Sequence, residues 1–266
     1  MTTAMDLFRL DGKVALVTGG SRGLGYFAAE GLAEAGADVA ICGRDVSGSL
    51  EEAAAKLRGT GRDCIAVQCD VSREEDVAAL ASRVKEHYGR CDVLVNNAGT
   101  SGMLPTAQMT TEAWDAMMAV NLRGTFLCCR EIGKGMIEQG SGSIINLSSE
   151  NGQVGFSSGM TAYATTKIGV IGLTRSLAVE WGRFGVRVNA LLPGNMEEGM
   201  METLKDRESP FYQLAGKPLL GLIPLGCFGT GDDVKGACLF LASEAGRYVS
   251  GAKLVLDGGF TINAGL

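Results

Sequence analysis

Seven short runs rich in valine, isoleucine and leucine, separated by longer helix-patterned segments, constrain this chain most. They are KVALVTG (13–19), DVAIC (38–42), CIAVQCD (64–70), CDVLVNN (91–97), SIINLS (143–148), VRVNALL (186–192) and KLVLD (253–257). Strands this continuously apolar need cover on both faces, which means a parallel sheet layered with helices. Right-handed crossovers then predict a doubly wound α/β fold of about seven strands. No shift in composition marks a linker, so residues 1–266 are expected to form one domain. The irregular stretch is 195–225, rich in Gly, Pro and Met. It follows the carboxyl end of the sixth strand, where such folds bind ligands, and is expected to act as a substrate lid.

Bulk properties remove several function classes. A net charge of −6 with a pI near 5.0 argues against a nucleic-acid or anionic-membrane surface. The start, MTTAMDLFRLDGK, carries no apolar leader, and the eight cysteines show no CxxC spacing. Reduced, mostly buried thiols and a cytoplasmic location are the expectation. The only histidine, His87, falls in a helix pattern opened by an expected capping box of Ser72 and Glu75. One histidine and no CxxC leave no zinc cluster and no Ser-His-Asp triad, so no metal is expected. Catalysis has to run on Ser, Tyr, Lys, Asn or the carboxylates.

The segment VTGGSRGLG follows the first strand and opens a helix, and Gly19, Gly23 and Gly25 make the pattern TGxxxGxG. Glycines there let a backbone approach a pyrophosphate, which the helix N-terminus favours by its free N–H groups and dipole. The end of the second strand selects the nucleotide. An acidic residue at that place would accept from both ribose hydroxyls, but here it is Gly43, followed by Arg44. An arginine fork holds a 2′-phosphate, and Arg22 reaches toward the same corner, so NADP(H) is expected. Asp45 is the competing residue; turned inward it would bind a ribose hydroxyl instead.

Tyr163 and Lys167 stand at i, i+4 and share one face of a helix. A phenol with a pKa near 10 is a poor proton shuttle at neutral pH, and a neighbouring ammonium favours its phenolate. Lowering it by three units needs about 4 kcal/mol of differential interaction.

With TGGSRGLG (18–25), CDV (69–71), NNAG (96–99), AVNL (119–122), YATTK (163–167) and NALLPG (189–194) in this order, the chain resembles the short-chain dehydrogenase/reductase family over its whole length. Its texture is nearest the gluconate 5-dehydrogenase-like and 3-oxoacyl reductase-like branches. The resemblance implies a tetrad in which Tyr163 is the acid/base and Lys167 holds the nicotinamide ribose and depresses the tyrosine pKa. Asn121 would hold a water linking Lys167 to solvent. It also implies a cofactor site formed by Gly19, Ser21, Arg22, Gly23, Leu24 and Gly25, by Arg44, and by Asp70 and Val71. Asn97, Ala98 and Gly99, then Pro193, Gly194 and Met196, complete that site, with Tyr163 and Lys167 at the ribose. A homotetramer, with a dimer next, is implied as well, since FLCCREIGKGMI and GVIGLTRSLAVEW are apolar on more than one face and the C-terminal run SGAKLVLDGGFTINAGL would make a second contact.

The fourth member of the tetrad is displaced. In the common family spacing a serine precedes the tyrosine by 13 residues, and here that place is Glu150, which while ionised donates no hydrogen bond. Ser148 and Ser149 come just before it, whereas Ser157 and Ser158 lie too near the tyrosine. A one-residue insertion in the following loop leaves Ser149 as the catalytic serine. Strand alternation turns Ser148 the other way. A second departure is Glu198, where many relatives carry a threonine that meets the nicotinamide carboxamide; backbone groups near Met196 would have to replace it.

The expected walls of the substrate site are 101–105, 150–156 and the lid. Between 195 and 218 the lid carries Glu197, Glu198, Glu202, Asp206 and Glu208 against Lys205, Arg207 and Lys217. This surface is a poor dock for an acidic acyl carrier protein. The expected reaction is the NADP(H)-dependent interconversion of a ketone and a secondary alcohol on a small hydroxylated substrate of sugar, polyol or sugar-acid type. The alternatives are a 3-oxoacyl-thioester or other carbonyl reductase and, more remotely, a non-catalytic nucleotide-binding sensor or scaffold.

Overall fold

The strands β1 (Val14–Thr18), β2 (Asp38–Gly43), β3 (Cys64–Gln68), β4 (Val93–Asn96), β5 (Gly142–Leu147), β6 (Val186–Pro193) and β7 (Lys253–Leu256) form one sheet in the order β3-β2-β1-β4-β5-β6-β7. Every pairing is parallel. This is a computed structural model that describes residues 3–44, 48–156, 159–198 and 203–263. Asp45, Ser157, Ser158 and Glu202, all invoked above, lie outside the described residues, as do 264–266. Each expected strand is present, with ends shifted by at most two residues.

The helices are α1 (Gly23–Glu34), α2 (Ser49–Arg58), α3 (Glu74–Tyr88), α4 (Thr111–Met118), α5 (Gly124–Gln139), α6 (Thr161–Trp181), the single turn α7 (Lys217–Leu220) and α8 (Gly231–Ala242). Strand alternation divides the core into two layers. Ala15, Val17, Val39, Ile41, Val93 and Val95 pack toward α1, α2 and α8, with Ala28, Leu32, Leu57 and Val234. Val14, Leu16, Ala40, Cys42 and Leu94 pack toward α3, α5 and α6, with Leu80, Leu127, Ile132 and Trp181. Gly133 is required where α5 meets α6, because a Cβ there would lie 2.6 Å from the Trp181 ring.

The order of strands reverses between β1 and β4, which opens a crevice at their carboxyl ends. Seven of the eight free cysteines are buried and Cys227 is exposed. No helix among the described residues is long and apolar enough to cross a membrane. The expected capping box of α3 is absent. Arg73 occupies the N-cap without a side-chain cap bond, and the Ser72 hydroxyl donates instead to Asp70 Oδ1 at 2.7 Å. The acidic side chain two residues upstream outcompetes the helix terminus for that hydroxyl. His87 is partly exposed on α3, with Nε2 2.8 Å from Asp63 Oδ2.

Candidate active site

At the crevice, β1 ends in Thr18 and the chain turns through Gly19, whose φ of +66° disfavours any side chain. Asn97, just after β4, donates its amide Nδ2 to the carbonyls of Thr18 and Gly19 at 3.0 Å each. In return the Thr18 hydroxyl oxygen accepts from the N–H groups of Asn97 and Ala98. A Cβ on Gly25 would lie 2.3 Å from both Asn97 Nδ2 and the Gly19 carbonyl, so glycine alone lets α1 approach the turn. Asn97 therefore shapes the phosphate turn through its side chain. Thr18 was missed by the sequence reading.

A groove of about 310 Å³ lies between the start of α1 and α2, lined by Ser21, Arg22 and Gly23 on one side and by Ser49, Glu52 and Lys56 on the other. Lys56 is a second cation of this groove and was also missed, since only folding brings α2 beside the glycine turn. Arg44, exposed at the end of β2, lies within electrostatic reach of Asp70. Arg22 lines this groove and Arg44 does not. Val71 is buried under α5, against Gly124.

The chemical end is set by β5 and α6. Asn96 donates to Asn146 Oδ1 at 2.8 Å, and Asn146 donates to the Thr174 hydroxyl at 3.0 Å, a buried ladder that fixes α6 against the sheet. On the same helix Tyr163 and Lys167 are both buried, and the Lys167 ammonium lies 5.4 Å from the centre of the Tyr163 ring. Lys167 Nζ donates to the Leu147 carbonyl at 2.8 Å. Burial lowers the Lys167 pKa to about 8. The tyrosine corrects an expectation: burial raises its pKa, a hydrogen bond with Ser149 opposes the rise, and Glu150 adds to it. Desolvation of the phenolate outweighs the help expected from the lysine.

The two serines are distinguished by their partners. Ser148 donates its hydroxyl to the Lys167 carbonyl at 2.8 Å. The Ser149 oxygen accepts from the N–H and the amide of Asn151 at 3.2 and 3.4 Å, and Ser149 faces the Tyr163 phenol. Its proton is thus not committed to the loop that follows it. Glu150 is buried, at 3% exposure, with its pKa raised to about 8, first by desolvation and then by Asp257.

Asn121 lies in a π-helical turn, Ala119–Arg123, joining α4 to α5. Its amide accepts from the Thr100 N–H and donates to the Thr100 carbonyl, each at 2.8 Å, and to the Thr166 hydroxyl at 3.2 Å. The residue ties the segment after β4 to α6, and single π turns of this kind recur at functional positions.

After β6, Gly194 donates its N–H to the Leu256 carbonyl, and Met196 forms a bridge with Gly229. Glu198 meets Lys205 at 3.4 Å and Glu197 pairs with Arg207, which also contacts the Tyr212 hydroxyl at 2.9 Å. These pairs supply the partner for Glu198 that the sequence alone did not.

A family model described as enoyl-(acyl carrier protein) reductase matches residues 19–261. The chain belongs to the short-chain dehydrogenase/reductase family. This family consists of NAD(P)-dependent oxidoreductases. The chain is 40% identical over 267 residues to the D-threitol dehydrogenase of Mycolicibacterium smegmatis, covering 98% of this chain and 100% of that protein. It is 40% identical to the 2-dehydro-3-deoxy-D-gluconate 5-dehydrogenase of Pseudoalteromonas atlantica, covering 96% and 98%. The crystal structure of a gluconate 5-dehydrogenase from Burkholderia cenocepacia, in complex with NADP and tartrate, superposes with a TM-score of 0.89 at 36% identity, covering 98% of this chain and 99% of that one.

Proposed function

We propose that this member of the family is an NADP(H)-dependent enzyme that interconverts a secondary alcohol and a ketone on a small hydroxylated substrate. The observation that carries this reading is the convergence of Ser149, Tyr163 and Lys167 at the carboxyl ends of β5 and α6's first turns. Support for the cofactor comes from Gly43 in place of an acid at the end of β2, from Arg22 and Lys56 across one groove, and from the crystallised relative with NADP. The residues fit a dinucleotide, since Asn97 and the crowding at Gly25 hold the turn open to a phosphate.

NADP(H), when bound, supplies or accepts the hydride. Ser149 donates its hydroxyl to the substrate oxygen and so orients it. In reduction Tyr163 gives that oxygen its proton, and in oxidation takes it back. Lys167, cationic at neutral pH with a pKa near 8, favours the phenolate that remains. Asn121 positions Lys167 and α6 through Thr166.

Residues 195–225 act as a lid rooted by the Glu197–Arg207 and Glu198–Lys205 pairs, and the chain works as one domain. The eight free thiols suit the reducing cytoplasm. Exposed Phe126 on α5 and Ile168 and Val179 on α6 suit burial between subunits of a homotetramer, which sedimentation velocity tests.

The deciding experiment follows absorbance of NADPH, and of NADH in parallel, across a panel of ketones and polyols. Turnover with NADPH favoured supports the reading. An absence of turnover with every member overturns it.

A further inference from the structure

Four buried polar atoms in the two segments that follow β5 and β6 have no hydrogen-bond partner within the protein. They are Glu150 Oε2, Asn151 Oδ1, Asn195 Nδ2 and Glu198 Oε2, and only two other such side-chain atoms occur among the described residues. An orphaned buried polar atom is rare because it bears its desolvation uncompensated. Four in two loops therefore point to something that completes them. The two loops follow β5 and β6, neighbours whose ends pair at Leu147 and Leu191, so they rise from the edge that carries Ser149. Glu150 is the most enclosed, and its Oε2 would stand 2.7 Å from a Cβ placed on Gly194. The glycine at the end of β6 is what admits the carboxyl to this place.

We infer that these four groups recognise hydroxyls flanking the reacting carbon, and that the substrate is a neutral polyol, or its keto form, in preference to a sugar acid. The inference rests on the redox reading above and narrows it. A hydroxyl both donates and accepts, and the set is mixed in the same way: Asn195 offers a donor, Asn151 and Glu198 offer acceptors. Burial and the nearby Asp257 keep the Glu150 carboxyl protonated below about pH 8, so at neutral pH it donates as well. Charge argues against an acid. The cations nearest these loops in sequence, Lys205 and Arg207, are already paired with Glu198 and Glu197. Lys253 is hydrogen-bonded to Gln153, and Lys167 to the Leu147 carbonyl. A substrate carboxylate would enter among acids with its natural partners engaged.

The test compares kcat and KM for tetritols and pentitols, for aldonates of equal chain length, and for a secondary alcohol without neighbouring hydroxyls. The unmodified protein is expected to use neutral polyols at least about tenfold better in kcat/KM than the aldonates. Asn195→Ala and Glu150→Leu are each expected to raise KM for the polyol by about tenfold, the loss typical of one hydrogen bond, with a much smaller change for the simple alcohol. Glu150→Gln, which keeps a donor of the same shape, should retain most of the polyol preference. Melting curves establish that each variant is folded. Equal or better use of the aldonates overturns the inference while leaving the redox reading intact, as does an equal loss on polyol and simple alcohol. Failure to turn over any alcohol or ketone removes the redox reading and this inference together.

Discussion

The Ser148 hydroxyl donates to the main-chain carbonyl of Lys167 at 2.8 Å, which commits its proton to α6, whereas its neighbour Ser149 faces the Tyr163 phenol. The two serines therefore fail differently. Ser149→Ala is expected to lower turnover by about 10²–10³, as loss of a donor to a developing oxyanion does, without weakening NADP(H) binding. Ser148→Ala should cost about 1 kcal/mol of stability through one unmet carbonyl, with a small effect on turnover. Steady-state rates and denaturant midpoints of both variants check this. A Ser149→Ala enzyme of normal rate would remove the residue from the mechanism.

Tyr163→Phe should abolish nearly all turnover while NADP(H) still binds, because in the proposed mechanism the phenol acts on the substrate oxygen. Lys167→Ala should impair both, and it should also free the Leu147 carbonyl of its partner. Fluorescence titration with NADPH separates binding from rate.

Cofactor choice follows the cations at the nucleotide end. NADPH should bind at least about tenfold tighter than NADH, since one charge-assisted phosphate contact contributes about 1.5–3 kcal/mol. Arg44→Asp and Lys56→Ala should each narrow the gap. Equal affinities in the unmodified protein would refute the assignment, and a response to Arg44 alone would remove Lys56 from it.

The Glu150 carboxyl makes stability pH-dependent in a defined direction. Its folded pKa, about 8, lies above the ordinary 4.5, so the folded state binds the extra proton. The penalty is absent below pH 4.5, grows as pH rises toward 8, and is constant beyond, reaching on the order of several kcal/mol. Glu150→Gln removes the titration. Its melting temperature relative to the parent should therefore climb between pH 5 and pH 8. A difference that does not change with pH would show that the carboxyl ionises freely.

Asn146→Leu tests the ladder that holds α6. The change leaves the Asn96 amide and the Thr174 hydroxyl short of partners and should cost about 1–3 kcal/mol in denaturant unfolding. An unaltered midpoint would mean that the apolar contacts of α6 suffice to seat it.

Much of this was legible in the sequence because the relevant signals are local. Each β-run is apolar enough to declare itself, and Tyr163 with Lys167 shares a helix face by spacing alone. The different orientations of Ser148 and Ser149 were legible too, since alternation in the extended chain after β5 turns them to opposite sides. Lys56 was not, because its role depends on α2 lying beside α1. The partner of Glu198 was hidden for a similar reason, as only folding brings Lys205 within 3.4 Å of it. The direction of the Tyr163 pKa was misjudged because it depends on how much water the fold excludes, and spacing carries no information about that.

The distribution of sulfur has a practical outcome. Cys227 is exposed two residues before Gly229, which bridges back to Met196, while the other seven thiols are enclosed. A maleimide dye should therefore attach at one position in the native protein without mutagenesis. That dye would sit on the segment leading out of the proposed lid, where its emission could follow the approach of each substrate in real time.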